Sequence, residues 1–206
     1  LAVVSINPLS GKSSLCTRLT NSNIDNYQKF LSKNKLFNQK RIATWFYWGT
    51  VKHRRSDEKR EGLFHLIEHS TIAIDENEHY DTYIKRITSL TLRSEEKSQS
   101  TNDYPQIKVF PKDRITIDAF LCIHDLSSNK QISDLIIFLH SLLKTRRPII
   151  IVTTKNDLIE NQFNLAKQFE QSVHSSSISN DSQLLSNIPI IHTSAHQHVN
   201  IQGVLE

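Results

Sequence analysis

Gly11, Lys12, Ser13 and Ser14 stand between an apolar run at residues 1–4 and a helical pattern that begins at Ser13. An ammonium, two hydroxyls and the orphan amides of a helix N-terminus suit a chain of phosphates. Lys12 can reach the outer phosphates, the Ser13 hydroxyl can ligate Mg²⁺, and backbone N–H groups can cradle phosphate oxygens. A second set, Thr-Thr-Lys-Asn-Asp at 153–157, follows another apolar run. The Asp157 carboxylate can accept two hydrogen bonds, from a ring N–H and an exocyclic amine; guanine presents that pair and adenine does not. The Lys155 stem can pack along the base, next to Thr154. The plainer reading is a polar turn with Asp157 at a helix N-terminus. A third set is His-Thr-Ser-Ala at 192–195, where small residues let the Ser194 and Ala195 backbone approach the base oxygen. Each set is weak alone. Their order, and their common place at the C-terminal ends of apolar runs, points to a guanine nucleotide gripped at both ends.

The elements that would position these residues are legible from hydrophobic period. Residues 1–6, 115–126, 149–154 and 188–195 read as buried strands. Helical stripes fall at 79–93 (Tyr80, Tyr83, Ile84, Ile87, Leu90), at 132–143 and at 161–173. Residues 41–48 and 62–74 read as a long hairpin across the charged tip 52–60. No element is assigned to 20–40, which is rich in Asn, Lys and Ser. The polar stretch 94–105 reads as a loop, part of an insert spanning about 94–110. The closing residues 200–206 read as the first turn of a helix. Aliphatic strands alternating with amphipathic helices imply an α/β fold, a mostly parallel central sheet with helices on both faces and one antiparallel hairpin. Ligands bind such sheets at the carboxyl ends of the strands.

At 206 residues the chain suits one domain, spanning 1–206. With no methionine and an opening inside a strand, it reads as a segment of a longer protein. Its net charge of +4 is mild and does not argue for nucleic acid. The longest purely aliphatic run, residues 149–152, is too short to span a bilayer. Cys16 and Cys122 lie in apolar patterns and read as buried free thiols of a reducing compartment, which favours the cytoplasm.

Two metal patterns compete. His-Leu-Ile-Glu-His at 65–69 matches the H-x-x-E-H of inverted zinc peptidases, in which the histidines bind zinc and Glu68 acts as base. The β-branched residues that follow favour a strand, which would turn Glu68 away from both histidines. His192, His196 and His198 are close enough in sequence for a metal, though solvated loop histidines are the usual case. The aromatic cluster at 45–48 reads as core and hairpin packing.

These motifs resemble the Ras-like GTPase superfamily. More narrowly, the chain looks like the N-terminal GTPase-like domain of the large FF-domain Rho GTPase-activating proteins. GKSSLCTRL (11–19), FYWGTV (46–51), YIKR (83–86), IDAFLCIHDLS (117–127), PIIIVTTKND (148–157) and HTSAHQHVNI (192–201) carry the resemblance in order along nearly the whole chain. It implies a Ras-like P-loop fold and a GTP and Mg²⁺ ligand. It also implies a cytoplasmic signalling protein that meets a Rho-type small GTPase through another part of the parent chain. Such domains are poor or inactive hydrolases. The nucleotide-binding residues it implies are Gly11, Lys12, Ser13, Ser14, Thr154, Lys155, Asp157, Ser194 and Ala195, with Ser13 on the metal. The second Mg²⁺ ligand would come from Thr20, Ser32 or Thr44, and the sequence does not choose among them.

Two departures bear on activity. A competent GTPase has Asp-x-x-Gly and then a water-positioning Gln at its third strand; this chain aligns Glu68, Thr71 and Ile72 there. Hydrolysis by the usual machinery is therefore expected to be absent. The phosphate loop, G-x-x-x-x-G-K-[ST], carries Ile6 in place of its first glycine and then Pro8 and Leu9. Proline has no N–H to donate and leucine resists the positive φ that glycine accepts. Phosphate binding is then weakened, rerouted or lost, and the rival reading is a nucleotide-free scaffold for protein interactions.

Overall fold

A computed structural model describes residues 1–7, 9–21, 30–34, 42–52, 61–69, 79–88, 116–127, 132–159, 162–175, 185–197 and 199–204. Pro8, Thr71, Ile72, His198, the tip 53–60 and the insert at 94–110 lie outside the described residues.

Near-continuous aliphatic stretches form the middle of the sheet. β1 (Ala2–Val4), β5 (Phe120–Asp125) and β6 (Ile149–Thr154) are buried on both faces, as parallel strands flanked by helices must be. The seven strands run in the order β2-β3-β4-β1-β5-β6-β7. β4 (Glu61–His69), β1, β5, β6 and β7 (Ile190–His192) are mutually parallel, with Ala2 between Ile67 and Phe120. β3 (Ile42–Lys52) pairs antiparallel with β4 from Lys52↔Glu61 to Thr44↔His69, the hairpin expected from sequence.

The structure adds to the expectation at the edges. β2 (Phe30–Asn34), inside the stretch left unassigned, pairs antiparallel with β3, so the sheet has two antiparallel joints rather than one. An outermost strand buries little and can be polar, which hides it from hydrophobic period. β7 is only half-buried and shorter than the expected 188–195, because it is the opposite edge. The closing residues make a 3₁₀ turn, Gln202–Val204.

α1 (Lys12–Asn21) packs Leu15, Cys16 and Leu19 on one face of the sheet, against Val3, Tyr47, Leu66, Leu121, Ile123 and Val152. α2 (Tyr80–Thr88), α3 (Ile132–Leu143) and α4 (Gln162–His174) cover the other face, closing on Ala2, Val4, Phe120, Cys122 and Ile151. Both cysteines are buried and free, and burial pushes the Cys122 thiol up to about 12. No helix among the described residues is long and apolar enough to cross a membrane.

Candidate nucleotide site

The carboxyl ends of β4 and β6 meet the start of α1, through Glu68 on Ser13 and Thr154 on the Ser10 carbonyl. Gly11 turns the chain into that helix at φ +84°, a left-handed conformation natural to glycine. Thr154, last residue of β6, reaches across and donates its hydroxyl to the Ser10 carbonyl at 2.5 Å. This bond fixes the loop before α1 to the strand that carries the 153–157 motif.

A cavity of about 720 Å³ opens there. Gly11, Ser13 and Ser14 line it together with Thr154, Lys155, Asp157 and Ala195. The structure thus brings together residues more than 140 apart in sequence. Ser194 lies directly behind, buried, and donates to Asp157 Oδ1 at 2.6 Å. Lys155 sits in the left-handed region at φ 59°, and its ammonium pairs with Asp125 Oδ2 at 2.6 Å. Burial pushes the Asp125 carboxyl up, but Lys155 and the Ser127 hydroxyl and amide outweigh it and hold it below the ordinary carboxylate value.

Lys12 stands apart from the other expected site residues. It is 5% exposed, does not line the cavity, and donates from Nζ to Ser5 Oγ at 2.8 Å. Burial lowers its pKa below the usual lysine value, and the charge of Glu68 pulls it partly back. Glu68 is itself buried and accepts two hydroxyls, Ser13 on Oε1 at 2.5 Å and Tyr47 on Oε2 at 2.8 Å. Among the described residues no three His, Cys, Asp or Glu side chains converge as a metal cluster. The zinc-peptidase reading of 65–69 is corrected: the stretch is strand β4, not a helix, and Glu68 turns to Ser13 and Tyr47, on the face opposite His65 and His69. In the 192–198 histidine group, the His192 ring is held between Thr153 Oγ1 at 2.7 Å and Glu170 Oε1 at 2.9 Å, and His196 lines the cavity.

Sequence reasoning missed Thr17, Arg18 and Leu158 in the cavity wall. A signal existed for two of them, since Ser14, Thr17 and Arg18 share a helix face at spacings of three and four.

The strand order and the helices on both faces define an α/β fold of the Ras-like P-loop type. No protein-family model matches the chain. Rho GTPase-activating protein 190 of Drosophila melanogaster is 29% identical over 218 residues, covering 93% of this chain and 13% of its own length. Rho GTPase-activating protein 35 of Rattus norvegicus is 27% identical over 217 residues, again covering 93% of this chain, and 14% of its own length. The chain therefore matches a small segment of these much longer relatives, in agreement with the resemblance carried by its motifs. A solved bacterial selenocysteine-specific elongation factor, EF-Sec, aligns over 99% of this chain and 27% of its own with a TM-score of 0.53 at 14% identity, a likeness of fold alone.

Proposed function

We propose that this domain binds a guanine nucleotide as a stable ligand and does not hydrolyse it, and that it serves as a regulatory domain of a cytoplasmic Rho GTPase-activating protein. The observation that carries the first part is the common cavity of Gly11, Ser13 and Asp157, with the Asp157 carboxylate held in place by Ser194. In this reading Asp157 and the Ala195 backbone hold the base, and the α1 amides at Ser13 and Ser14 hold phosphate oxygens. The Ser13 hydroxyl oxygen, its proton donated to Glu68, suits a hard divalent cation. Mg²⁺ takes few protein ligands and completes its shell with phosphate oxygens and water. Bound, it would neutralise phosphate charge. The absence of turnover rests on Glu68, Thr71 and Ile72, which supply neither the glycine amide for the γ-phosphate nor the glutamine for water. Action on a Rho-type GTPase would belong to another part of the parent chain.

The test is the nucleotide released by denaturing the purified protein, identified by chromatography, followed by a single-turnover assay. Recovered GTP and no phosphate release above background support the reading. Recovered GDP or a burst of phosphate overturns its hydrolysis half.

Three observations on the loop before α1 favour a second reading, a nucleotide-free scaffold. Lys12 is turned into its own loop, Leu9 is 80% exposed, and Pro8 has no amide to offer. A protein recovered without nucleotide, with no thermal shift on adding GTP and Mg²⁺, would establish the scaffold instead.

A further inference from the structure

We infer that Arg18 is the cation that holds the α-phosphate of the bound nucleotide, a role that none of the three motifs assigns; the inference rests on the nucleotide reading above. Arg18 lies in the last turn of α1 and lines the cavity with Ser14 and Thr17. Among the described residues it has no ion pair, whereas Lys155 is taken by Asp125 and Lys12 donates into its own loop. Among the described residues no carboxylate pairs with Arg18, although Asp157 lines the same cavity, and an unpaired cation beside a cavity suits an anionic ligand.

Position sets which anion. Ser14 and Arg18 are four residues apart, so they sit one above the other on one helix face. Long helical side chains lean back toward the N-terminus and cover the turn before their own. The guanidinium therefore belongs over Ser14. Gly11, Ser13 and Asp157 all line the cavity; in the nucleotide reading the amides at the start of α1 take the outer phosphates and Asp157 takes the base. The group between them, at the level of Ser14, is the α-phosphate. A planar guanidinium can take two oxygens of one phosphate. It would offset donors that a loop containing Pro8 does not have. The plain alternative is an arginine that complements the C-terminal end of the helix dipole and touches no ligand.

The two accounts separate on affinity. The test strips the chain of nucleotide and titrates it with GTP, GDP and ATP, in wild type, Arg18→Ala and Arg18→Lys. The expected result is a loss of about tenfold or more for both GTP and GDP in Arg18→Ala, from losing a charge-assisted contact. The guanine-over-adenine preference and the unfolding midpoint without nucleotide should not change, and Arg18→Lys should recover part of the loss. Unchanged GTP affinity in Arg18→Ala, with wild type binding normally, overturns this inference and leaves the nucleotide reading intact. A lost base preference also overturns it, by showing that Arg18 acts through the shape of the cavity. Wild type that binds none of the three overturns the nucleotide reading itself and the inference with it.

Discussion

Ser194 donates its hydroxyl to Asp157 Oδ1 at 2.6 Å while Ser194 Oγ itself accepts the Gln197 amide at 3.0 Å. The amide can only donate, so the Ser194 proton is left for the carboxylate. A turn closed by Ser194 and Val199, each bonding the other's backbone, holds the hydroxyl in place. The Asp157 carboxylate is thus oriented from the turn that follows β7, 37 residues further along the chain.

Asp157→Ala should abolish the preference for guanine over adenine. Two hydrogen bonds to a charged acceptor are worth enough that the GTP-to-ATP affinity ratio should fall by about a hundredfold. Ser194→Ala should keep the preference and lower GTP affinity several-fold, since the carboxylate remains but is no longer aimed. Competition titrations with GTP and ATP measure both. An Asp157→Ala variant that selects GTP as strongly as wild type would remove the base-site assignment.

Thr154→Val tests the joint between strand and loop. The substitution keeps shape and leaves the Ser10 carbonyl without the donor that reaches it at 2.5 Å in a fully buried setting. The expected cost is about 1–3 kcal/mol in a denaturant titration. GTP affinity should fall with it, because the same bond positions Gly11 and the first amides of α1. A variant as stable as wild type would mean that the loop is fixed by other contacts.

The sheet and the three site motifs were legible because each rests on a short-range rule: long buried strands, strand-to-loop junctions, and residue types that need particular chemistry. β2 was not legible, since an edge strand such as 30–34 needs no apolar alternation once its partner supplies the hydrogen bonds. Nor was the orientation of Lys12. Sequence gives an ammonium next to a glycine; only packing decides whether it meets a ligand or Ser5. Tyr47 belonged to an aromatic run read as core. It is buried in the core, and its hydroxyl also bonds Glu68, a pairing that depends on the register of β3 against β4.

That pairing yields a coupling prediction. Tyr47→Phe removes one hydroxyl from a buried bond and should cost about 1–2 kcal/mol. Glu68→Ala should cost more, because it leaves the Tyr47 hydroxyl and Ser13 without their acceptor and removes the carboxylate that favours a charged Lys12. In the double variant the two effects should fall short of their sum by about 1 kcal/mol, as residues in direct contact do. Strict additivity, read from denaturant midpoints, would show that Tyr47 and Glu68 do not share a bond.

Stability should decline as pH falls below neutrality, and two buried imidazoles set the window. Burial drives His69 from 6.5 down to about 3, helped by the positive charges of Arg86, the N-terminus and Lys12, and among the described residues neither of its ring nitrogens has a hydrogen-bond partner. Burial likewise lowers His124 to about 4 against a weaker opposing pull from Asp125, with its ring stacked on Phe169 at 4.9 Å. Both folded values lie below the unfolded one, so the unfolded chain takes up these protons first as pH drops. Their contribution is complete above pH 6.5 and is lost on the way down, each at about 1.4 kcal/mol per pH unit until the folded group also protonates. His65, lowered by burial too, adds to the same trend. Asp125 and Asp81 are shifted below 3.8, so their losses begin under this window. Urea midpoints measured from pH 7.5 to 4.5 should fall steadily. His124→Phe, which preserves the stack on Phe169, should flatten the slope by one proton. A midpoint that does not change with pH over that range would mean that these rings are hydrated in the folded protein, against the packing described for His69 and His124.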